Sequence, residues 1–166
     1  MKKSNQAHIT DFAESVRELC SVLENHTTLS KDQFSAKVHT LLIKVYLLAQ
    51  SLPDVHTESE NGPEDLISEE EIIKVAHSVS DIFGRQNAYR EVFDPYEDKD
   101  EVVFASLSDD LSDIYRYLKN PLIVYDRKDP ASINEAVWNW KFGLSTSYGE
   151  HMTGAIRALH YLRHVY

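Results

Sequence analysis

The chain contains a single cysteine, five glycines and five prolines in 166 residues. One cysteine, Cys20, excludes an intrachain disulfide framework and a four-cysteine zinc cluster. So little glycine and proline excludes collagen-like and low-complexity structure. Long apolar runs are missing too. The most apolar stretch, Leu41 to Ala49, is interrupted by Lys44 and falls far short of the ~18 residues of a membrane span. Met1-Lys2-Lys3 opens onto polar residues without an apolar segment, which does not fit a signal peptide, so a cytoplasmic protein with no membrane association is expected. Positive charge is scarce: 17 Lys and Arg face 27 Asp and Glu, a formal charge of −10. Such a chain repels a phosphate backbone, and no nucleic-acid partner is expected. GxSxG, Walker and GxGxxG patterns are absent, which removes the common nucleophile-elbow and nucleotide-loop readings; no cofactor is expected.

What is present is helical periodicity. Ile9, Phe12, Val16, Leu19 and Leu23 recur at steps of three and four and line one helix face. Thr10 or a neighbouring residue is placed as its cap, with Asp11 and Glu14 at its positive end, leaving residues 1–8 as a disordered tail. Ser30 and Gln33 form a capping-box pattern ahead of Phe34, Val38, Leu41, Val45, Leu48 and Leu52, with Pro53 as the stop. Between Leu41 and Ala49 this helix is apolar nearly all round, the pattern of a central helix. Residues 53–67 hold two prolines, Gly62 and five acids with no Lys or Arg, and read as an acidic loop. Ser68 and Glu71 form a second capping box before Ile72, Val75, Val79 and Ile82, and Gly84 stands where a left-handed cap is wanted.

Residues 88–93 read as a short helical turn and 94–103 as a second acidic loop. Phe104, Leu107, Leu111, Ile114, Leu118, Leu122 and Tyr125 then keep one phase across Pro121, which predicts a kinked rather than a broken helix. A long C-terminal helix from about Ser132 carries Ile133, Val137, Trp140, Leu144, Tyr148, Ala155, Leu159 and Leu162. Gly143, Gly149 and Gly154 lie inside it, each costing ~1 kcal/mol against alanine, and close approach to a neighbouring helix is their expected return. The architecture implied is all-α: one domain over residues 1–166, a bundle of five or six helices.

Several segments resemble a known family. Val45-Tyr46-Leu47-Leu48-Ala49-Gln50-Ser51-Leu52-Pro53, then Glu91-Val92-Phe93-Asp94-Pro95, then Asp110-Leu111-Ser112-Asp113-Ile114-Tyr115 with Leu118-Lys119, and finally Ala155-Ile156-Arg157-Ala158-Leu159-His160 follow its order and spacing. The family is the bacterial domain of unknown function numbered 5063, and the resemblance spans about Phe12 to His160. It implies a compact all-helical fold and no assigned activity.

The sharpest chemical motif is Asp109-Asp110-Leu111-Ser112-Asp113, a DDxxD string of the kind that holds magnesium against a diphosphate. The synthases that use it need a larger helical barrel and a second acidic motif. Acids just after Ser108 also suit a solvated helix start, and that reading outweighs the metal. His160 and His164, one turn apart, can share a metal, but Arg157 and Arg163 beside them oppose a cation. His151 and Cys20 border apolar faces and read as interior side chains. Trp138 and Phe142 add a second apolar face to the last helix; burial inside the monomer is expected, the other outcome being a partner surface.

The leading functional reading is a non-enzymatic cytosolic protein acting through protein–protein contacts. A divalent-metal-dependent phosphohydrolase with Asp110, Asp113 and Glu135 as ligands is the second. A small-molecule-binding bundle with a pocket lined by Tyr115, Trp140 and Tyr148 is the third.

Overall fold

The apolar stripe of the first helix closes as a continuous face: Ile9, Phe12, Val16, Leu19 and Leu23 are all at most 1% exposed. A computed structural model describes residues 3–57, 65–92, 96 and 102–166. Helix α1 spans Lys3–Glu24, so helix already covers residues given above to a tail; residues 1 and 2 lie outside the described residues. No glycine or proline interrupts Lys3 to Thr10, and Thr10 is an interior residue whose Oγ1 donates back to the Gln6 carbonyl.

Helix α2, Lys31–Ala49, and helix α3, Glu69–Phe83, open on complete capping boxes at Ser30 and Ser68. In each, the serine hydroxyl accepts from the third backbone N–H and the third side chain accepts from the serine N–H. Gly84 ends α3 with φ +53 and its N–H on the Ser80 carbonyl, the positive-φ stop that a residue with a Cβ adopts only at a cost. Of the two acidic loops, 53–57 and 65–68 are irregular, and 58–64, 93–95 and 97–101 lie outside the described residues.

Of the expected helical turn at 88–93, residues 88–91 form a strand instead, and 93 lies outside the described residues. Strand β1, Ala88–Glu91, pairs antiparallel with β2, Val103–Ser106, in the register Ala88↔Ser106 to Glu91↔Val103. Val103 therefore belongs to β2 and not to the acidic loop. Phe104 leaves the apolar stripe of the following helix and is 78% exposed. Asn87 joins this hairpin to the helix behind it: its carbonyl accepts from Leu107 N, its Oδ1 accepts from Ser108 N, and its Nδ2 donates to Ser108 Oγ.

Helix α4, Leu107–Tyr125, is capped by Ser106, whose side chain accepts from Asp109 N. It runs unbroken through Pro121 and packs against α1, α3 and both C-terminal helices. The C-terminal helical stretch is divided at Ser147 into α5, Pro130–Thr146, and α6, Tyr148–His164. A Cβ at Gly149 would fall 2.0 Å from the Leu144 carbonyl oxygen, so glycine is what permits so tight a junction. Asp129 caps α5 by accepting from Ser132 N, with Pro130 in the first turn.

The Trp138–Phe142 pair is not interior. The rings stack on each other at 5.0 Å and 7°, Phe142 is 52% exposed and Trp138 only partly buried. Among the described residues their side of α5 faces the end of α2 at Ala49 and Gln50 and the loop residues Pro53, Asp54 and Val55. Trp140, on the opposite side, is fully buried and donates from Nε1 to the Leu118 carbonyl.

Loop 65–67 is held to α4 by one side chain. Asn120, 5% exposed, accepts from both Leu66 N and Ile67 N at 2.9 and 3.0 Å. Asn120→Leu should cost about 1–3 kcal/mol, the penalty for stranding buried donors, in urea denaturation. A change under about 0.5 kcal/mol, the range of surface substitutions, would contradict this anchoring.

Candidate functional site

The short hairpin matters because alternation on β1 turns Tyr89 and Glu91 to one side, toward α4 and α6. On α4, Asp110 and Asp113 stand one turn apart; on α6, Glu150, His151, Gly154 and Arg157 follow the same logic. These residues meet. Tyr89 Oη donates to Asp110 Oδ2 at 2.5 Å and lies 3.3 Å from Glu91 Oε2. His151 Nδ1 is 3.0 Å from Asp110 Oδ1, and its Nε2 is 3.6 Å from Asp113 Oδ2. Asp110 is 4% exposed, so it is not the solvated helix-start acid that its place in the sequence suggests.

The electrostatics follow from this packing. The hydrogen bond to Asp110 raises the His151 pKa, partly opposed by burial, with the Asp110 and Asp113 charges adding to the rise. An imidazole so held favours its cationic form and ties α6 to α4. Burial, then Asp110, pushes the Tyr89 phenol far up, so it stays a donor. Burial pushes Glu91 up, and the Asp110 charge adds to this; the hydrogen bond from Tyr89, then the Arg157 and His151 charges, only partly oppose it. Backbone approach is equally constrained: a Cβ at Gly154 would sit 2.5 Å from Glu91 Oε1 and 2.6 Å from Tyr89 Oη. The close approach expected of this glycine is thus to strand side chains rather than to a helix.

Above the cluster opens a cleft of about 500 Å³ walled by Glu91, Phe104, Asp109, Glu150, His151 and Arg157 among others. Arg157 is anchored by donation from Nη2 to the Arg90 carbonyl. Phe104 carries the Arg90 guanidinium 5.8 Å from its ring.

The remaining residues singled out in the sequence fall elsewhere. Trp140 is level with Leu118, and the short connection 126–129 turns the chain back. Glu135 therefore lies beside the far end of α4, on the order of 15–20 Å along it from Asp110, and does not join Asp110 and Asp113. Among the described residues no group of three or more His, Cys, Asp or Glu is arranged to hold a metal ion. His160 and His164 face each other at 5.0 Å between ring centroids, and both approach His39 of α2 at 6.4 Å. His39 accepts at Nδ1 from Arg163 at 2.8 Å. Its pKa is lowered by burial first and by the Arg163 charge second.

Tyr115, Trp140 and Tyr148 do not line a common pocket. Tyr148 is fully buried and donates to the Trp140 carbonyl, while Tyr115 donates to Glu24, which Lys119 also holds. Cys20 is buried and its thiol pushed up to about 12 by burial, which removes it as a nucleophile near neutral pH.

Tyr89, Glu91 and His39 escaped the sequence reading. One signal was there: the position of Asp110 at the edge of the α4 stripe, where an acid needs partners.

Fold and site together define a class: a six-helix bundle, in its described residues, that carries a short hairpin and a polar cleft at the hairpin's inner face. The chain belongs to the family described as Domain of unknown function (DUF5063), which matches residues 3–165. Its fold is similar to the crystal structure of protein BF1032 from Bacteroides fragilis, with a TM-score of 0.83 and 21% sequence identity over 96% of this chain and 94% of that one. No curated protein matches the sequence. Among the described residues no helix is long and apolar enough to cross a membrane.

Two outcomes test the cluster. Because the folded His151 pKa is raised, its stabilisation is present in full below the unfolded value of about 6.5 and is lost as pH rises through the folded value. Thermal midpoints should therefore fall across that window, and less steeply in Asp110→Asn; equal slopes would sink the assignment. Gly154→Ala should destabilise by about 1–3 kcal/mol through overpacking against Tyr89 and Glu91, read by chemical denaturation; no loss would show that those side chains yield freely.

Proposed function

We propose that this protein is a non-enzymatic binding protein whose hairpin cleft receives a cationic side chain, lysine or arginine, presented by a protein partner. The observation that carries this reading is Glu91. Its carboxyl faces the cleft, burial and Asp110 oppose its ionisation, and no ion pair to it is present among the described residues. A partner's cation placed there relieves both effects, and a carboxyl poised in this way marks a binding position. Asp109 and Glu150 at the rim add to the attraction, and the exposed Phe104 ring offers a face on which the stem or charge of such a side chain can rest. The tied Tyr89–Asp110–His151 cluster supports the reading by holding the cleft in shape before a partner arrives.

The metal-dependent hydrolase reading has less behind it. His151 already engages both Asp110 and Asp113, and Glu135 stands at the other end of α4.

Calorimetric titration with a short lysine-rich peptide should give binding that weakens with added salt. Glu91→Gln should reduce it about tenfold, the worth of one charged hydrogen bond. A glutamate-rich peptide should not bind. A free polyamine that binds as well as the peptide would turn the reading toward a small cationic ligand, and peptide binding that ignores Glu91→Gln would overturn it.

A further inference from the structure

On the side of α6 that faces α2, a second surface is bordered by arginines. Arg157 lines it, Arg163 lies at its end beside His39, and no Asp or Glu is among the described residues lining it. The lysines of α2 lie elsewhere: Lys31 reaches Gln86 and the Phe83 ring, and Lys37 pairs with Glu18 of α1. The helix dipole accounts for Arg163 and His164 in the last turn of α6. It does not account for Arg157, more than a turn earlier.

Between these helices runs an open groove of about 660 Å³. Its floor is apolar: Ile43 and Leu47, one turn apart on α2, are 46% and 67% exposed, and Tyr46 and Ile156 flank them. Its rim on α6 carries the Arg157 guanidinium and the His160 ring. At the His160 end Arg163 is held in place by its hydrogen bond to the buried His39, and His164 completes the group. From His39 to Gln50 the groove follows about three turns of α2, on the order of 17 Å.

An apolar floor with a single-sign rim between two helices fits helix-in-groove recognition. The charge decides the occupant. A second copy docked by a twofold axis sets the same arginines against themselves, whereas a partner with an acidic flank meets Arg157 and Arg163 along the α6 side.

We propose that the α2–α6 groove docks an amphipathic helix of a partner protein, about three turns long, whose apolar ridge seats on Ile43, Leu47 and Ile156 and whose flanking carboxylates meet Arg157, His160 and Arg163. This surface adjoins the hairpin cleft, with which it shares Thr153 and Arg157, but the proposal does not depend on the reading given for that cleft.

The test uses the full chain and three labelled peptides of helical design: one with a leucine ridge and glutamate flanks, one with the same ridge and lysine flanks, and a scramble of the first. Fluorescence anisotropy should detect the glutamate peptide and show the lysine peptide at least about tenfold weaker, a difference of about 1.4 kcal/mol. Leu47→Asp, at an exposed position, should abolish binding while leaving the circular dichroism spectrum and thermal midpoint unchanged. Arg163→Gln with His160→Gln should weaken the glutamate peptide and narrow the gap between the two. Equal binding of both flanked peptides, binding that survives Leu47→Asp, or no binding of the glutamate peptide overturns the proposal. So does a concentration-dependent dimer in sedimentation that Leu47→Asp dissolves, since the groove is then filled by a second copy. Binding to anionic vesicles in place of the peptide overturns it as well.

Discussion

A carboxyl group taken out of water must find hydrogen-bond partners, and Asp110 finds them on two other elements. Tyr89 comes from β1 and His151 from α6, while Asp110 itself sits in the first turn of α4. Satisfying one buried acid therefore sets the position of the hairpin and of the last helix at once. Removing a single partner leaves the acid stranded, which costs more than exchanging the whole cluster for apolar groups. Gly154 belongs to the same constraint, because a Cβ there would meet the ends of the Tyr89 and Glu91 side chains that lie between α6 and β1. The cleft above is the space that this arrangement leaves open.

Helix α4 is where these demands meet. One side buries Leu107, Leu111, Ile114, Leu118 and Leu122, and the helix packs against α1, α3, α5 and α6. Its polar interior contacts are few and specific: Asp110 at one end and Asn120 near the other, the latter pinning the segment 65–67 that leads into α3. Apolar packing supplies most of the driving force, while these buried polar groups choose which loop and which strand lie against the helix.

Helix α6 separates two surfaces of different character. Toward the hairpin it presents Glu150, His151 and Arg157 to an acid-walled cleft; toward α2 it presents Ile156 and His160 to an apolar, arginine-bordered groove. Thr153 and Arg157 border both.

Helices α1 to α4 were legible in the sequence because a helix is written locally. The stripes at steps of three and four, the capping boxes at Ser30 and Ser68, and Gly84 at the end of α3 all involve residues within one turn of one another, and so does the persistence of phase through Pro121. The family resemblance was legible for a related reason, since short segments kept their order. The hairpin was not. Each strand is four residues long, too short for alternation to stand out against helical signals on either side. Nor did the local pattern show that Asp110 is buried, that Trp138 and Phe142 stay near the surface, or that His39 joins His160 and His164. Those facts depend on partners 21, 41 and 124 residues away, or on how much chain covers a given helix side. Helix formation is decided by hydrogen bonds between near neighbours in the chain. The fate of a polar or aromatic side chain is decided by whatever packing brings beside it, and that only the tertiary structure supplies.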